Sequence, residues 1–155
     1  MSTIKTVLLG KVEVGKGVPK VIVPIVGKTR KKIVTSGQKL THYALDVVEW
    51  RVDFYTAALD IAKVVETGRQ LRAALKNIPL IFTFRTKKEG GEKEITMEYY
   101  TALNKAMAES GYVEAIDVEI FSGAAIVRQN IANIHNAGKI VVGSSHDFLT
   151  TPTKT

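Results

Sequence analysis

The 155 residues are 45% hydrophobic, enough for one domain that buries about two thirds of the surface its unfolded chain exposes. The absence of cysteine excludes a disulfide framework, thiolate metal ligation and a cysteine nucleophile, and agrees with a reducing cytoplasm. The net charge of +7 gathers in residues 1–41, where Lys5, Lys11, Lys16, Lys20, Lys28, Arg30, Lys31, Lys32 and Lys39 face the single acid Glu13; no aromatic side chain interleaves them to stack on bases, which argues for a solvated face over a nucleic-acid surface.

From the N-terminus, Met1 to Lys5 lead into a strand pattern, not into the charged start and long apolar run of a signal peptide. No apolar run approaches the ~20 residues of a membrane span, so a soluble, cytoplasmic protein with no membrane partner is expected. Two alternating runs, 6–9 and 11–14, meet at Gly10 and are followed by Gly15, Lys16 and Gly17, which predicts an N-terminal hairpin within residues 4–17. Strand-like apolar runs follow at 21–26, 46–52, 80–85, 113–120 and 140–145. Between them, 57–75 carries apolar residues at helical spacing, although Gly68 weakens its middle, and 96–110 and 124–137 read the same way, with Gly111 and Gly138 placed as C-cap glycines. Residues 29–45 make the poorest helix, with Gly37 and a β-branched stretch inside, and are assigned by position.

Near-continuous apolar strands alternating with helices imply a parallel sheet in one domain spanning residues 1–155. Two architectures fit: an open flavodoxin-like sheet, which suits the length, or about five strands of an eight-stranded β/α barrel, which normally needs about 250 residues. Polar residues at the strand ends favour the barrel. The second strand finishes with Glu49, Arg51 and Asp53 on one face, successive members about 6.6 Å apart. The third ends at Arg85 and runs into the polar loop Thr86 to Glu92; the fourth carries Asp117 and Glu119 on one face; the fifth ends Ser144-Ser145-His146-Asp147-Phe148.

In a parallel sheet these C-terminal ends share one rim, where barrel enzymes keep their sites. An arginine pair, several carboxylates and a histidine therefore converge, and a histidine with carboxylate neighbours suits proton transfer at neutral pH. Bland readings exist for each part: a strand-end ion pair worth about 0 to 1 kcal/mol for Glu49 and Arg51, and a hydrogen bond to Asp147 for His146. His42 and His135 lack such company and read as structural or solvent-facing. Gly27-Lys28-Thr29 is not a phosphate loop, because Ile22 stands where that motif needs a glycine. No spacing singles out a metal site among Asp117, Glu119 and His146.

Glu49-Trp50-Arg51-Val52-Asp53, Phe82-Thr83-Phe84-Arg85 leading to Lys88-Glu89-Gly90-Gly91-Glu92, Ile116-Asp117-Val118-Glu119 and His146-Asp147-Phe148 closely resemble type I 3-dehydroquinate dehydratase, in the order and spacing of that family. The opening hairpin, Pro19-Lys20 and Thr151-Pro152 agree, so the resemblance covers essentially the whole chain. It implies a β/α-barrel lyase of the shikimate pathway, serving aromatic amino-acid biosynthesis and usually a homodimer. Such an enzyme dehydrates 3-dehydroquinate to 3-dehydroshikimate through a lysine imine, with no metal and no diffusible cofactor. Carried over, Glu49, Arg51 and Arg85 would hold the substrate's hydroxyls and carboxylate, His146 would be the general acid and base, and Glu89 would help orient it.

The family's imine-forming lysine lies on the strand after the histidine, past Thr155, and neither Lys139, Lys87, Lys88 nor Lys154 replaces it. The 155 residues alone are therefore expected to be inactive, with open barrel edges at the first and fifth strands that invite association. The competing expectation is a non-catalytic half-barrel that binds a hydroxylated carboxylate or a partner chain. Ser145, where the family usually has asparagine, is a local departure.

Overall fold

The computed structural model describes residues 5–151 and 153, so the expectations placed on Pro152 and Lys154 lie outside the described residues. A short antiparallel hairpin, β1 (Val7–Leu9) and β2 (Val12–Val14), opens the chain. There follow β3 (Ile22–Ile25), α1 (Arg30–Leu40), β4 (Val47–Arg51), α2 (Ile61–Leu75), β5 (Leu80–Thr83), α3 (Met97–Glu109), β6 (Ala115–Glu119), α4 (Ala124–Asn136) and β7 (Ile140–Ser144). Single turns of 3-10 helix at Val52–Phe54 and Lys87–Glu89 follow β4 and β5.

Strands β3 to β7 form one parallel sheet whose spatial order is the chain order. That order decides between the two architectures. A doubly wound sheet reverses direction at a switch point, whereas a β/α barrel adds each strand on the same side of the last. The helices pack in sequence too, α1 on α2, α2 on α3 and α3 on α4. The sheet is of the β/α-barrel type.

Alternation along the strands separates two layers. Val48, Trp50, Leu80, Phe82, Phe84, Ile116 and Val118 face the helices and are buried with Val64, Leu71, Leu75, Leu103, Met107 and Ile134. Trp50 and Phe82 meet edge-on at 5.5 Å, an arrangement worth about 0.5 to 1.5 kcal/mol beyond the area they bury. On the opposite, concave face, Val47, Ile81 and Ala115 pack with Val12, Ile140 and Val142 around Leu9 of the hairpin, which forms a floor.

The weak points of the predicted helices are contact points. A Cβ on Gly68 would stand 2.9 Å from Met107 Cε, and one on Gly37 would stand 2.6 Å from Leu71 Cδ1, so these glycines let α2 approach α3 and α1 approach α2. Tertiary packing here outweighs the ~1 kcal/mol that glycine costs a helix interior. Helix starts are set by caps: Thr29, Asp60 and Thr96 accept from the backbone N–H three residues on. Asp60 is why α2 begins at Ile61 and not at 57. Gly111 and Gly138 hold the positive φ that their C-cap placement anticipates.

Candidate active site

The concave face changes character from floor to rim. Its lower level is the apolar set Val47, Ile81, Ala115 and Ile140; above it, by the same alternation, come Glu49 and Arg51, Thr83 and Arg85, Asp117 and Glu119, then Ser144 and His146. Side chains that would be costly in a core thus collect at one end of the sheet.

Arg85 is the centre of the cluster. Its side chain is only 7% exposed, and three carboxylates surround it: Glu119 at 3.0 Å, Asp117 at 3.1 Å and Glu89 at 3.6 Å. It also donates to Ser144 Oγ at 2.9 Å, and Ser144 in turn donates to Asp117 Oδ1 at 2.8 Å. Burial opposes the guanidinium charge, but Asp117 and Glu119 more than offset it and raise the Arg85 pKa above its ordinary value. Asp117 yields instead: burial, reinforced by the charge of Glu49, holds its carboxyl above the usual range against the pull of Arg85 and Ser144. One cation cannot fully compensate three buried anions.

The strand end beside Arg85 is shorter than the predicted 80–85, and Glu119 explains it. After Thr83 the chain leaves the β6 ladder, and the Glu119 carboxylate takes the Thr86 backbone N–H at 2.9 Å and hydroxyl at 2.8 Å. The loop then folds back so tightly that a Cβ on Gly91 would lie 1.9 Å from the Arg85 carbonyl oxygen, and glycine alone fits. This return aims Glu89 across the rim at the residue that follows β7. Glu89 Oε2 accepts the His146 backbone N–H at 3.1 Å and lies 3.1 Å from His146 Nδ1. With Nδ1 donating to the carboxylate, Nε2 keeps the lone pair and can act as a base. The imidazole is 39% exposed, so it opens to the rim, and Phe148 stacks beside it at 6.3 Å.

Arg51 stands on the neighbouring strand. The predicted strand 46–52 stops at Arg51, so Asp53 belongs to the 3-10 turn; the fully buried carboxylate nevertheless returns to Arg51 as a bidentate pair at 2.8 and 2.9 Å. That bond, ahead of the opposing effect of burial, raises the Arg51 pKa. Asp53 also takes the Glu92 N–H at 3.1 Å, so the loop that aims Glu89 is tied to the base of Arg51. Glu49 is partly buried beside them. Among the described residues no group of three or more histidines and acids is arranged to hold a metal ion.

The family model of type I 3-dehydroquinase matches residues 21–155. The chain belongs to the type I 3-dehydroquinase family. It is 47% identical over 150 residues to the 3-dehydroquinate dehydratase of Clostridium botulinum (strain Eklund 17B / Type B) and 41% identical over 150 residues to that of Clostridioides difficile (strain 630), in each case over 97% of this chain and 59% of the relative. The chain thus spans 59% of the length of these curated relatives. Among solved structures, a type I 3-dehydroquinate dehydratase from Clostridium difficile with covalently modified comenic acid superposes with a TM-score of 0.93 at 41% identity, over 96% of this chain and 58% of that one. The 3-dehydroquinate dehydratase of Enterococcus faecalis gives 0.90 at 35% identity, over 95% and 61%.

For this type I 3-dehydroquinase chain, the five residues singled out from sequence, Glu49, Arg51, Arg85, Glu89 and His146, all lie on the rim side of the concave face. The bland alternative for His146 does not hold. Asp147 does not bond His146; its carboxylate caps the backbone N–H groups of Leu149 and Thr150, at 2.9 and 3.0 Å. His42 and His135 are exposed and apart from the cluster. Gly27 and Thr29, rejected as a phosphate loop, serve the Ile33 contact and the α1 cap. Ser144 and Thr86 were not anticipated. The inward parity of β7 was the available signal for Ser144, while nothing in the sequence marks the bond from Thr86 to Glu119.

Proposed function

We propose that this chain carries the substrate-binding and acid–base portion of a cytoplasmic 3-dehydroquinate dehydratase of the shikimate pathway. The observation that carries the reading is the Glu89–His146 pair, held at 3.1 Å on the sheet's C-terminal rim beside Arg85. In this reading Arg51, Arg85 and Glu49 hold the substrate's carboxylate and hydroxyls. A lysine amine condenses with the substrate ketone, which acidifies the adjacent carbon. His146 Nε2 takes that proton, then returns it to the departing hydroxyl, which leaves as water. Glu89 fixes the ring so that one nitrogen faces the substrate in both steps.

The nucleophilic lysine is the part these residues do not supply. Lys93 Nζ is occupied by the Asp53 carbonyl at 2.6 Å, and Lys87 and Lys88 are exposed on the 3-10 turn. The five strands alone are accordingly proposed to bind the hydroxylated carboxylate without turning it over. The test is formation of the conjugated enone from 3-dehydroquinate by the protein expressed from its own gene, followed by ultraviolet absorbance. Activity lost in His146→Ala is expected; equal activity in that variant overturns the assignment.

A further inference from the structure

The peptide units that carry Asp117 and Glu119 lack a strand partner on one side. Along a parallel strand, alternate residues turn both backbone polar groups to the same neighbour. In β6 the even-numbered residues face β7: just past its end the Ile120 N–H donates to the Ser144 carbonyl, and just before its start the Glu114 carbonyl accepts the Ile140 N–H, although the Glu114 N–H still turns to the Leu80 carbonyl of β5. The odd-numbered residues therefore face β5. That strand pairs with β6 only through Ala115 and Ile116 and ends at Thr83, so the Asp117 carbonyl and Glu119 N–H meet no backbone there. A buried backbone group left without a partner destabilises the fold, so some other group must satisfy these two.

Tyr100 fills the gap. Its hydroxyl, reaching from α3, donates to the Asp117 carbonyl at 3.3 Å and accepts the Glu119 N–H at 3.2 Å, and the residue is fully buried. Burial pushes the hydroxyl up to about 12, so it keeps the proton it donates. The two residues splinted in this way are those whose carboxylates hold Arg85 at 3.1 and 3.0 Å, and Arg85 stands 3.6 Å from the Glu89 that orients His146. Because β5 has left the ladder, Tyr100 is the group that sets the height of both carboxylates from the helix side.

On the function proposed above, we infer that Tyr100 is a positioning residue: its hydroxyl replaces a missing strand and holds Asp117 and Glu119 where Arg85 and, through it, Glu89 and His146 are aligned. A shift of about 1 Å in such a frame costs up to about a hundredfold in rate.

The test uses the protein expressed from its own gene. In the unchanged protein the Glu119 amide is expected to be protected from hydrogen exchange although β5 does not pair with it, and Tyr100→Phe removes that protection. The same variant is expected to lower kcat/KM about tenfold or more at a temperature well below unfolding. Met107→Ala, which opens a cavity against Gly68 of α2 two turns further along the same helix, leaves kcat/KM of the folded protein unchanged. A freely exchanging Glu119 amide in the unchanged protein overturns the inference, as does a Tyr100→Phe variant of full kcat/KM or a Met107→Ala variant equally impaired. Should Tyr100→Phe not fold, exchange in the unchanged protein decides. If that protein dehydrates no 3-dehydroquinate, the functional reading fails, while the exchange result still judges the splint.

Discussion

Glu89 Oε2 meets His146 at two points, 3.1 Å from the ring Nδ1 and 3.1 Å from the backbone N–H of the same residue. One oxygen therefore fixes both the chain and the ring. Rotation of the imidazole would break one contact while the other still held the backbone, so the ring has one favoured orientation.

Loss of that carboxylate should be felt in catalysis more than in folding. On the proposed function, Glu89→Gln in the protein expressed from its own gene is expected to lower kcat about tenfold to a hundredfold, less than the ~10² to 10⁴ for His146→Ala, because a mispositioned base is better than none. Steady-state rates of enone formation by the two variants check the order; a Glu89→Gln variant of full activity would show that the carboxylate does not serve the ring.

Arg85 balances three buried acids, so its removal strands them. Arg85→Met is expected to cost about 3 to 5 kcal/mol in urea unfolding, the range for breaking a buried ion pair from one side. Adding Asp117→Asn should recover part of that loss, since one of the uncompensated charges goes with it. A cost near zero, or a double variant no more stable than the single, contradicts the shared-cation arrangement.

The raised pKa of Asp117 gives a signed pH dependence. Because the folded protein holds this proton to higher pH than the unfolded chain, it binds more protons in the window that begins near the ordinary 3.8 and ends at the raised value. The stability contributed there is present below the window and is lost as pH rises through it. Asp117→Asn should flatten that part of the stability–pH curve. Denaturant titrations of both proteins across the window measure this, and a wild-type stability that rises there relative to Asp117→Asn would reverse the assigned direction.

Gly91 lies against backbone, not against a flexible side chain. A Cβ 1.9 Å from the Arg85 carbonyl forces the 86–91 loop outward, and Gly91→Ala is expected to cost about 1 to 3 kcal/mol and to draw Glu89 away from His146. Thermal unfolding and the His146 side-chain NMR signals report the two effects.

On the proposed function these 155 residues do not supply the imine-forming lysine, so expressed alone they should keep their mass after borohydride treatment with 3-dehydroquinate. They should also associate with rising concentration in sedimentation, since β3 and β7 each have one neighbour and Val21, Ile22 and Val26 are about half exposed beside β3. A trapped adduct refutes the first expectation and a monodisperse monomer the second.

How much of this could be read from the chain depends on the range of the interactions. The floor-to-rim order on the concave face follows from parity alone, and Glu49, Arg51, Arg85 and His146 were placed by it. The sequential strand order also fits the polar strand ends that spoke for a barrel. Strand ends at 83 and 51 could not be read, because they are set by the Glu119 carboxylate and the Asp53 turn, contacts made across the sheet or after it. Gly37 and Gly68 looked like weaknesses for the same reason: propensity sees the helix and not the neighbour that needs the space. Glu89, fifty-seven positions before His146, reaches the ring; no spacing marks that pair, and only the family resemblance named Glu89 as its partner, whereas adjacency alone offered Asp147 as the bland alternative.

The sharing of one guanidinium by Glu89, Asp117 and Glu119 constrains how this rim can drift over evolutionary time. A substitution at any one acid alters the charge felt by the other two, so tolerance at each site depends on what occupies the others. Changes here should arrive in compensating sets, and a lineage that gave up Arg85 would have to surrender a carboxylate with it.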